Sequence, residues 1–145
     1  MALPQRTIWL PMRTTEITIR TGRRRALVDV TADCERFVDG AGDGLLTVFV
    51  PHATAGLVVM ELGAGSEEDL LGTLERLLPP DDRWRHRHGS RGHGADHVLP
   101  LLAPPSVTIP VFGGRLALGT WQSIAVLDTN VDTETRTVRL SFVGG

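Results

Sequence analysis

Four of the five histidines in this 145-residue chain fall within one short stretch. Trp84 to Leu99 reads W-R-H-R-H-G-S-R-G-H-G-A-D-H-V-L and holds His86, His88, His93 and His97, with Arg85, Arg87 and Arg91 among them and Arg83 just before. Imidazole is the commonest metal ligand and the usual acid–base group near neutral pH. The guanidinium is the fork that holds carboxylates and phosphates. A run that mixes both and is punctuated by glycine is either a site or a solvated loop. The fifth histidine, His52, stands alone in V-P-H-A-T-A-G, and Glu61 follows it nine residues on. A zinc-like ion needs three or four ligands, typically imidazoles with a carboxylate. His52, His86 and His97 supply the nitrogens, with Glu61, Asp69 or Asp96 as oxygens. No tight motif such as H-E-x-x-H is present, so these residues have to meet through the fold.

Two further features carry chemistry. Gly119-Thr120-Trp121-Gln122 is a turn followed by a large aromatic and an amide. Trp121 is read either as a packing anchor or as a platform for a ligand that Gln122 hydrogen-bonds. Arg136 and Arg139 are an odd number of residues apart on one strand, so one faces a site while the other meets solvent. The triplet Arg23, Arg24 and Arg25 is expected to be solvated.

Composition removes several classes. All fifteen basic residues are arginine. With no lysine there is no Schiff base and no G-x-x-x-x-G-K-[ST] phosphate loop, and no nucleotide cofactor is expected. Tyrosine is absent as well. Cys34 is the single cysteine, which rules out an internal disulfide or a multi-cysteine metal site. The net charge of −2 gives no general attraction to nucleic acid, so RNA or DNA is not an expected partner. No apolar run approaches the ~20 residues of a membrane span and no signal pattern opens the chain, so the expected location is the cytoplasm.

The elements that must position these residues follow from periodicity. Residues 1–13, with Pro4 and Pro11, read as an extended arm whose Ile8, Trp9 and Leu10 pack on something. Residues 14–145 read as a single domain. Thr14–Arg20 alternates as a half-buried strand, and Leu27, Val28 and Val30 mark another. Thr31 or Asp33 is expected to cap a helix over Cys34–Val38. Leu45–Val50 and Gly56–Met60 are apolar strands broken at Pro51-His52. Ser66-Glu67-Glu68-Asp69 resembles a capping box before Leu70, Leu71, Leu74, Leu77 and Leu78, with Pro79-Pro80 as the stop. A short helical turn is expected over Val98–Leu102, and strands over Val107–Val111, Arg115–Leu118, Trp121–Leu127 and Thr137–Val143. The whole is an α+β domain with largely antiparallel, sandwich-like sheets, one long helix and one or two short ones.

Taken together, His52-Ala53-Thr54-Ala55-Gly56, Glu61, Asp69, Trp84-Arg85-His86, His97, Gly119-Thr120-Trp121-Gln122 and Arg136 resemble the signature of the YjbQ-like family, also called secondary thiamine-phosphate synthase. The resemblance covers about residues 14–143. Against the family pattern, Ala53 replaces a hydroxyl, Met60 an asparagine, Trp84 a tyrosine, His93 an Asn or Asp, and Asp128 a glutamate.

The resemblance implies a small α+β homotrimer with a cleft near a subunit boundary. It implies a site made of His52, Glu61, His86 and His97, in which a divalent ion sits on His52, His86 and His97. Thr54, Trp121, Gln122 and Arg136 would contact a phosphorylated small molecule. The activity it implies is a weak joining of a pyrimidine pyrophosphate to a thiazole phosphate. A non-catalytic trimeric module that binds a phosphorylated metabolite or anion is the other reading that the same residues allow.

Overall fold

A computed structural model describes residues 11–145. Two antiparallel sheets form the frame. The larger runs in the order β1 (Met12–Arg20), β8 (Thr135–Gly144), β3 (Gly44–Phe49), β5 (Ser106–Phe112) and β6 (Arg115–Leu116). The smaller places β7 (Ser123–Asp128) between β2 (Ala26–Asp29) and β4 (Ala55–Met60). Three helices accompany them: α1 (Thr31–Val38), α2 (Ser66–Leu77) and α3 (His93–Asp96), with a 3-10 turn at Leu99–Leu101.

Alternation explains the larger sheet. Ile17 and Ile19 of β1, Val138, Leu140 and Phe142 of β8 and Leu46 and Val48 of β3 point inward to one core. On the outer face Glu16 lies opposite Arg139 and pairs with it, and hydroxyls bridge Thr14 to Ser141 at 3.1 Å. The smaller sheet is apolar on both faces. Leu57, Ile124 and Val126 meet the larger sheet together with Val30, Cys34 and Val38 around α1. Val58 and Leu127 face the other way, against Leu74, Leu78, Ala95 and Leu99. This double burial is why β7 reads as an unbroken apolar run rather than an alternating one. The layers are therefore sheet, sheet and a helical cover, and that cover includes α3.

Several local expectations change. The helix expected to be long has twelve residues, an ordinary three turns. Ser66 is its first residue rather than its cap. Gly65 precedes it in the left-handed region, and the Glu67 carboxylate folds back to accept the Gly63 N–H. Neither Thr31 nor Asp33 caps α1; the Asp29 carboxylate accepts from the Thr31 N–H at 2.8 Å instead. The leucines of α2 split: Leu74 and Leu78 are buried, while Leu77 is 59% exposed. β1 begins at Met12, so the last two residues of the expected arm are strand. Ile8, Trp9 and Leu10 lie outside the described residues.

Candidate metal centre

The loop after α2 is held down before it delivers its histidines. The Trp84 indole N–H donates to the Pro79 carbonyl at 2.7 Å, and its ring packs on the second core. The chain then crosses α3 at Gly94, where a Cβ would stand 2.4 Å from the Trp84 Cβ and 2.6 Å from the His86 carbonyl oxygen. Glycine is the residue that allows this crossing. From there His86 and His88 come from the loop, His93 from the first position of α3, and His97 from just past its end. His93 and His97, four residues apart, share one helical face.

These four rings converge. One ligand nitrogen from each of His86, His88, His93 and His97 lies within 4.8 Å of all the others. The Nε2 atoms of His93 and His97 are 2.9 Å apart. Zinc–imidazole bonds of about 2 Å in tetrahedral array put neighbouring nitrogens roughly 3.3 Å apart, so the group reaches such an ion by ring movements of up to about an ångström. His93 is 6% exposed, and its Nδ1 has no hydrogen-bond partner at normal distance. That nitrogen faces two carboxylates at 3.5 Å each, Asp96 and Asp132. A carboxylate behind an imidazole keeps the proton on the near nitrogen and turns the far one toward a metal. Both the donor set and the outer shell therefore fit a divalent ion of the zinc type.

The surroundings of two of the rings, His86 and His97, favour the neutral form. Desolvation, followed by the influence of His88 and His93, holds His86 below the ordinary imidazole value. Desolvation and the neighbouring His86, His93 and His88 do the same for His97. Burial pushes the Asp96 carboxyl up, against the Thr129 hydroxyl and Arg25, whose Nη2 is 3.6 Å away. Asp132 is held low, first by the Ser90 N–H that it accepts at 3.0 Å. Arg25 is thus half-buried behind the histidines rather than solvated, and Arg23 donates to the Asp132 carbonyl at 3.0 Å.

The expected site residues divide into three places. His86 and His97 are in the cluster, joined by His88 and His93. His52 is outside it within one chain. Its Nε2 accepts the Thr137 N–H at 3.0 Å, just where β3 has stopped pairing with β8. An accepting Nε2 is unprotonated, so the neutral ring carries its proton on Nδ1. Burial and then Arg136 lower the His52 pKa, consistent with that neutral ring. Arg136 is buried against Asp128, Nε at 3.0 Å and Nη2 at 3.1 Å, and the Thr21 hydroxyl donates to the same carboxylate at 2.6 Å. Its fork is filled by the protein's own anion. Thr54 is buried beside this pair, its carbonyl meeting Thr129.

Glu61, Trp121 and Gln122 occupy the opposite end of the smaller sheet. Ser123 pairs with Met60 there, whereas Asp128 pairs with Ala55. The strand between spans roughly 17 Å. Trp121 is 73% exposed, so it anchors no packing among the described residues, and Gln122 spends its side-chain oxygen on the Gly119 N–H. Asp69 is exposed on the wall of an apolar hollow of about 400 Å³ between α2 and the residues around Leu102, apart from the histidines. A smaller hollow of about 130 Å³ opens beside His86 and His93, bounded by Trp84, Ser90 and Arg91. His88 and His93 carried a sequence signal, since H-x-H followed by H-x-x-x-H is ligand spacing, but the short α3 that aligns His93 with His97 was not expected.

Fold and site together define a small two-sheet α+β protein with an all-histidine, metal-compatible centre at its helical cover. The chain belongs to the UPF0047 YjbQ-like family, whose model matches residues 15–145. A UPF0047 protein of Mycobacterium tuberculosis is 58% identical over 134 residues, which is 92% of this chain and 100% of the relative. One from Archaeoglobus fulgidus is 39% identical, covering 78% of this chain and 88% of its own. Among solved structures, a YbjQ-like protein of Sulfolobus solfataricus superposes with a TM-score of 0.86 at 26% identity, over 94% of this chain and 100% of that one. A hypothetical protein of Aeropyrum pernix gives 0.81 at 35% identity, over 92% and 99%. No helix among the described residues is long and apolar enough to cross a membrane.

Proposed function

We propose that the protein binds a divalent, zinc-like ion through the histidine cluster and uses it to hold a phosphorylated small molecule in the cytoplasm. One observation carries the reading: four ligand nitrogens lie within 4.8 Å of one another, and the buried member is backed by two carboxylates. When bound, the ion would supply positive charge against a phosphate or pyrophosphate group. Arg87 and Arg91 border the small hollow beside the rings together with Asp81 and Asp82, and Arg91 shares its charge with Asp82 at 3.4 Å.

The proposal extends to assembly. Glu61, Trp121 and Gln122 are exposed at the far end of the smaller sheet. In a homotrimer they can join a neighbouring copy's histidines, which they do not reach within their own chain. Joining a pyrimidine pyrophosphate to a thiazole phosphate is the reaction that such a site would support, by holding both partners and stabilising the departing anion.

The test is to follow zinc-loaded and chelator-treated protein by phosphorus NMR with a panel of phosphorylated compounds. Metal-dependent binding of one class supports the reading, and turnover of the pyrimidine and thiazole pair makes it a transferase. Binding without conversion makes it a trimeric binding module. Binding that survives complete metal removal sinks the metal role.

A further inference from the structure

The four histidines are not held equally. His93 is buried on α3, its outer nitrogen between Asp96 and Asp132. His97 follows on the same helical face, 2.9 Å from His93 through the two Nε2 atoms. His86 is exposed, but its backbone is pressed on Gly94, and Trp84 two residues earlier is hydrogen-bonded and packed. His88 has neither support. It is exposed, and no hydrogen bond fixes its ring among the described residues. Its nearest ring is His86, with centroids 4.0 Å apart. The next residue, Gly89, sits at φ +76° where a Cβ would meet the Asp132 carboxylate at 2.7 Å, so the chain is gripped again immediately beyond His88. The backbone is thus fastened on both sides, and the His88 side chain between these points is free to turn outward.

Charge gives that freedom a direction. Four neutral imidazoles leave the full charge of a dication inside the ligand shell. The two carboxylates behind His93 offset it only from a distance, and Asp96 is shared with Arg25. An anionic oxygen donor in place of one imidazole lowers that charge directly, and oxygen donors of this kind are accepted by zinc-type ions. The hollow of about 130 Å³ that abuts His86 and His93 gives such a group a place to stand. Ser90 and Arg91 lie on its wall, Arg91 sharing its charge with Asp82 at 3.4 Å.

We propose that His88 is the displaceable fourth ligand of this centre: His86, His93 and His97 hold the ion, and a phosphate-type oxygen replaces His88. The proposal rests on the metal reading above and adds which ligand leaves and what chemistry takes its place. In effect His88 competes with the anion, so the measured anion affinity is the intrinsic one reduced by the fraction of centres in which His88 is off.

The test uses full-length protein loaded with cobalt(II), whose visible spectrum reports ligand number and type, and inorganic phosphate as the anion. Wild type is expected to show a four-coordinate spectrum that changes as phosphate is added, with strong paramagnetic broadening of the phosphorus resonance. His88→Ala is expected to bind cobalt within about tenfold of wild type and phosphate about tenfold more tightly. His93→Ala is expected to lose cobalt by about a hundredfold or more, the ligand-loss reference against which His88 is judged. The inference is overturned if His88→Ala loses cobalt as completely as His93→Ala, or if cobalt-loaded wild type and His88→Ala bind phosphate equally. Wild-type protein that takes up no cobalt overturns the metal reading itself, a different result from either.

Discussion

Asp132→Asn isolates the outer shell of the histidine centre. The substitution keeps the shape of the side chain and an amide oxygen able to accept the Ser90 N–H, now made at 3.0 Å. It removes one negative charge facing the His93 Nδ1 at 3.5 Å. Adding that contact to the width of the ring and a metal–nitrogen bond of about 2 Å puts the charge roughly 7 Å from a bound dication. Asp132 is partly exposed, so the water-like dielectric applies, and Coulomb attraction at that range changes an equilibrium about sevenfold. Asp96 stays in place against the same nitrogen, which keeps the loss toward the lower end of the 10–100-fold effect of outer-shell partners. The expected result is a zinc dissociation constant raised about five- to tenfold at pH 7.5, in competition with a chromogenic chelator, with an unchanged melting temperature for the metal-free protein. Unchanged affinity in both Asp132→Asn and Asp96→Asn would refute the reasoning, because His93 could not then be a ligand oriented from behind.

Three further outcomes follow from the same geometry. His52, His86 and His97 are all held below the ordinary imidazole value, so the folded chain refuses protons that the unfolded chain accepts. Stability is complete above about pH 6.5 and declines as pH falls from there toward the lowered folded values. Melting temperatures from pH 8 to 5 should show this fall, with a shallower slope in His86→Ala/His97→Ala; an equal slope would contradict it. Arg136→Leu strands the fully buried Asp128 carboxylate, and breaking such a pair costs about 3–5 kcal/mol. Denaturant unfolding should register that loss, and a loss below about 1 kcal/mol would show that the carboxylate is not buried as described. Burial, with Asp33 next, pushes the Cys34 thiol up to about 12, so it should resist a thiol reagent in the native protein and react at once after unfolding.

The two sheets were legible because each strand's inward residues alternate or run together according to how many faces are covered. Ile17 and Ile19 alternate on β1, whereas Ile124–Leu127 of β7 are apolar throughout and lie between two cores. The helix starts were not legible, since Gly63, Gly65 and Asp29 do the work expected of Ser66 and Thr31. His86 and His97, two of the residues singled out in the sequence, lie together in the four-histidine cluster. His93 stood in the same histidine-rich run and as a departure from the family pattern. Its role depends on a four-residue helix rich in small residues, too short for periodicity to reveal. His52 lies outside the cluster within one chain, because at its strand break the ring accepts a β8 N–H after β3 has ended. The distance of Glu61 and Trp121 from the histidines is a matter of strand register, fixed by the Ser123–Met60 pairing and visible only in three dimensions.

X-ray absorption at the zinc edge of stoichiometrically loaded protein, in anion-free buffer, tests the central claim most directly. Convergence of His86, His88, His93 and His97 requires one ion with four nitrogen neighbours at about 2.0 Å and the outer-shell scattering of imidazole rings. A shell dominated by oxygen, or with fewer than three imidazoles, would contradict it.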